Sequence, residues 1–228
     1  MKVAILIPRY GDMKGEFGIS LARMLVHTLK AEPRLDIEVF SVSSSDLPLS
    51  RTRLLQKAME WQARFALWLD TDHLFPPQSL LRLLSHRLPV VGLNQARRTE
   101  PTGPVTMRFN AAGDMEHVWT TEDLAREGKV EEVAHVGLAF TLVDMLVFHT
   151  VQAHLGDRWA TWEPFDRRLL PGTRARMGED ASFMAELREA GVAIHVDHAL
   201  SWAVAHIGER LFTNADTVAD REKWLSRG

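Results

Sequence analysis

The sequence predicts a single α/β domain over residues 1–228, a mainly parallel central sheet flanked by helices with a small antiparallel addition. Three observations lead there. A continuous β-prone run at Lys2–Ile7 precedes a glycine-bearing turn and then apolar residues at helical spacing, the order of a βα unit. That order returns from Asp36 onward. Mid-chain, two short strand candidates flank Ala111-Ala112-Gly113-Asp114, which reads as a hairpin.

Each element has a local reason. The first strand ends at Pro8, and Ile19, Ala22, Leu25, Val26 and Leu29 trace the following helix. Asp36–Val42 is a second strand, and 43–46 a polar loop. From Arg53, the residues Leu54, Leu55, Ala58 and Met59 trace a second helix face. Ala66–Leu69 is a short buried strand. Pro76 and Pro77 suit the first turn of a helix continuing through Leu80–Leu84. Pro89–Leu93, Val130–Val136 and Phe140–Val143 are further strands, and Met145–Leu155 is helical. Residues 167–178, with four arginines, Pro171, Gly172 and Gly178, read as a mobile loop. Asp180–Ala190 is a helix closed by Gly191; Val192–Val196 is the last clear strand, and Thr217–Leu225 a terminal helix.

Composition narrows the function classes. A hydrophobic fraction of 46% and a charged fraction of 25% are those of a globular chain. A net charge of -3 calls for neither nucleic acid nor an anionic membrane as partner. Basic residues do cluster locally, at Arg97–Arg98 and at Arg167, Arg168, Arg174 and Arg176. With no cysteine, disulfides and thiolate zinc sites are excluded. No window has the length of a membrane span and the N-terminal run lacks a signal-peptide layout, so a cytoplasmic location is expected. Walker A, Gly-x-Gly-x-x-Gly, Gly-x-Ser-x-Gly and His-Glu-x-x-His patterns are all absent.

Four groups of residues carry chemistry. Asp70-Thr71-Asp72 directly follows a buried strand. In extended backbone, residues two apart face one side, so both carboxylates can approach a hard cation that in turn binds a diphosphate. Aspartates are also common in turns before helices. Gly178-Glu179-Asp180 opens a helix. A carboxylate there can serve as general base, and acids are also favoured at that place by the helix dipole. His206 follows the last strand and offers an imidazole for a borderline metal. Arg51 and Arg53 stand near a helix start, where guanidinium and backbone N–H groups suit phosphate.

In their order, these motifs resemble the GT-A glycosyltransferases, closest to the compact family-2-like type of bacteria and their viruses. Ile5-Leu6-Ile7-Pro8-Arg9-Tyr10 is similar to the strand that ends at the nucleotide, and Ser50-Arg51-Thr52-Arg53-Leu54 to the segment before the second helix. Leu69-Asp70-Thr71-Asp72 with Phe75-Pro76 resembles the Asp-x-Asp motif. Val136-Gly137-Leu138-Ala139-Phe140 resembles the strand beside the acceptor pocket, and Gly178-Glu179-Asp180 with Val196-Asp197 the Glu-Asp helix and its following strand. The resemblance implies metal-dependent transfer of a hexosyl group from a nucleotide-sugar donor, UDP-sugar favoured, to an acceptor hydroxyl, with inversion favoured over retention. It implies Mn²⁺ or Mg²⁺ as cofactor, held by Asp72 and His206, with Asp70 toward the metal or the donor ribose. Asp180 would be the catalytic base. Pro8 and Tyr10 would lie near the nucleotide base, and Arg51 and Arg53 near base or phosphate. Gly137, Trp162 and Glu179 would lie toward the acceptor; a core role is the other reading of Trp162. Glycan, lipid-linked sugar, protein and a modified DNA base are all open as acceptor. Two alternatives stand beside this reading. A nucleotidyltransferase would release pyrophosphate, and no glycine-rich phosphate loop supports it. A non-catalytic nucleotide- or sugar-binding protein would not need Asp70, Asp72, Asp180 and His206 together.

Overall fold

The computed structural model describes residues 1–170 and 172–227; Pro171, counted above in the arginine-rich loop, and Gly228 lie outside them. In chain order, β1 (Lys2–Arg9), α1 (Gly15–Ala31), β2 (Asp36–Ser43), α2 (Leu47–Glu60) and β3 (Phe65–Leu69) form the expected βαβαβ half. There follow β4 (His73–Leu74), α3 (Ser79–His86), β5 (Val90–Gly92) and the hairpin β6 (Met107–Phe109) and β7 (Met115–His117). Then come α4 (Glu122–Arg126), β8 (Val130–Val133), β9 (Phe140–Asp144), α5 (Val147–Leu155) and a 3-10 turn at Gly156–Thr161. The chain closes with α6 (Glu179–Glu189), β10 (Ile194–Asp197), α7 (His198–Ala203), β11 (Ala205–Ile207), β12 (Leu211–Phe212), α8 (Asn214–Ala219) and α9 (Arg221–Leu225).

The seven-stranded sheet has the order β2-β1-β3-β9-β5-β10-β8. β1 pairs in parallel with β2 and β3, and β5 with β10, whereas β9 and β8 run against their neighbours. The carboxyl ends of five strands therefore lie on one edge, where ligands bind in open α/β sheets. A small sheet, β12-β11-β4, sits beyond that edge.

β3 is the centre of the core. Alternation sends Ala66 and Trp68 to one face and Phe65, Leu67 and Leu69 to the other. The first face packs under α2, α5 and α6 through Leu54, Phe148 and Phe183; the second packs under α1 and α3 through Phe17, Met24 and Leu80. Trp68 meets Phe165 edge-to-face at 5.3 Å, which anchors the segment after the 3-10 turn. Burying a side chain such as Phe165 contributes roughly 1.5–3 kcal/mol.

Several boundaries differ from expectation, each for a local reason. β1 runs through Pro8 to Arg9, because its pairing with β3 stops at Leu6 and the missing proline N–H leaves no gap there. α1 buries Phe17, Ser20, Met24 and Thr28, while Ile19, Val26 and Leu29 are exposed. Small polar residues on the buried face concealed that stripe. α2 starts at Leu47 rather than Arg53: Asp46 accepts from Leu49 N at 3.0 Å, and a proline follows in the first turn. α3 starts at Ser79, just after the two prolines. The terminal helix divides at Asp220 into α8, with its Thr213/Asp216 capping box, and α9. α6 ends as expected, with Gly191 in the left-handed region at φ 84. Among the described residues no helix is long and apolar enough to cross a membrane.

Candidate functional site

The chain leaves β3 at Leu69, crosses Asp70-Thr71-Asp72 and enters β4, which pairs antiparallel with β11. His73 and His206 are direct partners in that ladder. Opposed residues of an antiparallel pair share a face, and the two imidazoles stack at 4.4 Å with a 17° tilt. Ile207 N donates to Asp72 O at 2.7 Å, tying the aspartate to the same ladder. Asp72 Oδ2 then lies 3.3 Å from His206 Nε2, and Asp72 Oδ1 lies 3.2 Å from His73 Nδ1. One ligand atom from each of Asp72, His73 and His206 falls within 4.8 Å of the others.

The donor set fits a cation. His206 Nδ1 is 2.9 Å from Ala96 O; a carbonyl only accepts, so Nδ1 carries a proton. Nε2 is thereby aimed at the carboxylate. A ligand imidazole fixed by a carbonyl at its other nitrogen is the usual arrangement in metal sites. His73 is 1% exposed, and neither ring nitrogen has a hydrogen-bond partner. Burial lowers its pKa, against the opposing pull of Asp72, and keeps the ring neutral, the form that ligates metals. Burial alone would raise the Asp72 pKa; the contacts with His206 and His73 outweigh it and hold the carboxyl well below the usual range. Arg98 completes the group: its Nη1 is 3.0 Å from Asp72 Oδ2 and 3.4 Å from Ile207 O.

Asp70 has other partners. The Asp46 cap places Arg51 in the second turn of α2 on its inward face, 2% exposed. Arg51 Nη1 donates to Glu179 Oε1 at 2.9 Å, and Nη2 approaches Asp70 Oδ1 at 3.4 Å. Arg167 adds a longer contact to Glu179 Oε2 at 3.7 Å. The predicted sharing of one cation by Asp70 and Asp72 is thus not what the geometry gives: a buried guanidinium takes Asp70, and His73 stands where Asp70 was expected. Glu179, expected near the acceptor, belongs to this ion-pair cluster. The carboxyl end of β10 is likewise closed, since fully buried Asp197 holds Arg82 through both oxygens at 2.6 and 3.0 Å.

Asp180 lies in the first turn of α6, half-buried, with Oδ1 accepting from Ala181 N at 2.7 Å. Its charge reaches half-buried His135, whose pKa desolvation nevertheless lowers. Tyr10 is 82% exposed beyond β1, and Arg53 is exposed without an ion pair among the described residues. Gly137 packs closely on Gln95: an added Cβ would lie 2.5 Å from Gln95 Oε1, so that side chain would have to shift. Trp162 stacks on Trp159 at 5.3 Å and walls two cavities, one of about 380 Å³ beside Arg158, Arg168 and Glu186, the other of about 830 Å³ beside Asp46, Gln56 and Arg176. The described part of this segment, 167–170 and 172–178, is more structured than a bare loop, since Leu169 bridges Arg176 and Met177 N donates to Arg168 O at 2.8 Å.

Sequence reasoning missed His73 and Arg98 as members of the site. The signal for His73 was its place directly after Asp72; Arg98 offered none beyond its basic neighbour.

No protein-family model and no curated protein matches the chain. Among solved structures, it is similar to the crystal structure of A197 from STIV, with a TM-score of 0.53 and 14% identity over 93% of this chain and 94% of that one. The likeness shows that this α/β fold is one found in a solved protein.

Proposed function

We propose that the chain is a cytoplasmic, metal-dependent glycosyltransferase that moves a hexosyl group from a UDP-sugar to an acceptor hydroxyl. The observation that carries this reading is the Asp72–His73–His206 cluster at the carboxyl end of β3. The resemblance of the chain's motifs to GT-A enzymes supplies the reaction class. Two imidazoles and one carboxylate suit Mn²⁺ better than Mg²⁺, which prefers oxygen ligands. Bound there, the cation would act as a Lewis acid on the departing diphosphate.

The remaining roles fall to the chain itself. Asp180 has one oxygen on its own helix N-terminus and the other free of any hydrogen bond among the described residues, so it can take the acceptor proton. Arg51 holds the start of α6 against the end of β3 through Glu179 and Asp70, which fixes where Asp180 stands. Exposed Tyr10 and Arg53 supply an aromatic face and a free guanidinium toward base and phosphate. Trp162 offers a broad apolar face of the kind on which a sugar ring packs.

Calorimetry of UDP binding tests the reading. UDP is expected to bind with Mn²⁺ and to lose that binding in chelator, and Asp72→Asn is expected to behave as chelated protein does. Equal UDP affinity with and without the metal would refute the assignment.

A further inference from the structure

We propose that Arg98 is the resident counter-charge of Asp72 when no metal is bound, and that it moves onto the donor's diphosphate when a divalent cation takes the carboxylate. This rests on the metal-dependent reading above.

One oxygen carries the argument. Asp72 Oδ2 is approached by Arg98 Nη1 at 3.0 Å and by His206 Nε2 at 3.3 Å. A divalent cation ligated by that oxygen and that nitrogen sits about 2.0–2.2 Å from each. It would then stand beside the guanidinium, positive against positive. The two positive groups therefore compete for Asp72 Oδ2.

Arg98 is built to leave. Its side chain is 46% exposed, and Asp72 is its one ion-pair partner among the described residues. Its other contact is a long one, to Ile207 O at 3.4 Å. The backbone beneath it is fixed: Ala96 pairs with Pro104, and Arg97 N donates to Gly103 O at 2.9 Å. Freedom is therefore confined to the side chain. Gly208 makes the space, since a Cβ there would come within 3.2 Å of Arg98 Cδ and 2.8 Å of the Phe212 ring. Arg51 is the opposite case, buried and held by two carboxylates.

Each state then has a chemical reason. Without metal, Arg98 keeps a mostly buried carboxylate from standing unpaired. With metal, the displaced guanidinium remains within a side chain's reach of the cation, where the diphosphate must bind. Its planar fork matches phosphate oxygens in pairs. The negative diphosphate also relieves the repulsion between guanidinium and metal.

This predicts effects of opposite sign in one variant. Mn²⁺ affinity without nucleotide, read from the free-ion EPR signal, is expected to tighten about two- to fivefold in Arg98→Gln, the range for losing a part-exposed ion pair. UDP affinity at saturating Mn²⁺ is expected to weaken by about tenfold, as for a lost charge-assisted contact. Arg98→Lys keeps the charge without the fork, so its Mn²⁺ affinity should stay near wild type while UDP still weakens. Thermal melts confirm that each variant is folded. A residue that merely supported the fold would weaken both ligands together, and that outcome overturns the proposal. So does an unchanged Mn²⁺ affinity in Arg98→Gln when the wild-type protein binds Mn²⁺. Failure of the wild-type protein to bind Mn²⁺ at all sinks the metal reading and this inference with it.

Discussion

Asp70 and Asp72 stand two residues apart on one turn, yet their surroundings differ in kind. Asp70 faces a guanidinium that is 3% exposed and shared with Glu179. Asp72 faces two stacked imidazoles, one of them without hydrogen-bond partners, and an arginine half in solvent. The first cluster sets two carboxylates against two guanidinium groups, with Arg51 and Glu179 buried and Asp70 partly exposed. The second keeps nitrogen lone pairs in reserve. A pair of carboxylates in a motif therefore says little until the partners of each are known: one here joins two elements, and the other stands among groups that could hold a cation.

The sharpest way to test that division is at Asp180, on the helix that the Arg51 cluster holds. Asp180→Asn is expected to slow sugar transfer by on the order of 10²–10⁴-fold while UDP–Mn²⁺ affinity stays nearly unchanged. Asparagine keeps the shape and can still accept from the helix N-terminus, so the melting temperature should hold. Radiometric transfer assays read the rate. A wild-type rate would remove Asp180 as the base and return weight to a retaining mechanism.

The next effect is one of stability and separates the two clusters directly. Arg51→Met should destabilise the fold by roughly 3 kcal/mol, because it leaves buried Glu179 only the long contact to Arg167. Asp72→Asn should change stability by less than about 1 kcal/mol, since its arginine is half-exposed and its imidazoles can remain neutral. Urea unfolding measures both. An unchanged midpoint for Arg51→Met together with a selective loss of UDP binding would make Arg51 a donor ligand after all.

The same contrast explains what was legible in the sequence. β1, β3, the hairpin and α6 could be read because apolar runs, alternation and a terminal glycine are local signals. β4 and β11 could not: at His73–Leu74 and Ala205–Ile207 they are too short to show a period, and each exists because the other pairs with it. His73 was missed for that reason, while Asp72 and His206 were named as candidates from their residue types and the order of the motifs. The position of Arg51 on its helix was misread by a shorter chain of causes. Overlooking the Asp46 cap shifted the helix start by six residues, from Leu47 to Arg53, and turned an inward guanidinium into one at an open helix end.

Arg53 gives the smallest expected effect and the cleanest control for that correction. Sequence alone placed Arg51 and Arg53 together as donor contacts. Two positions along α2 turn a side chain by about 200° at 3.6 residues per turn, so one faces the core and the other faces solvent. Arg53 is exposed and has no ion pair or side-chain hydrogen bond among the described residues. Arg53→Ala should therefore leave stability within about 0.5 kcal/mol of wild type. If its guanidinium reaches the donor, UDP affinity at saturating Mn²⁺ should fall a few-fold, by about the net worth of one solvent-exposed charged contact. Calorimetry beside urea unfolding reads both quantities on the same samples. A stability loss approaching that of Arg51→Met would mean that exposure is a poor guide to which arginine of this helix supports the fold. Unchanged stability with unchanged UDP affinity would leave Arg53 a solvated surface residue and remove it from the donor site.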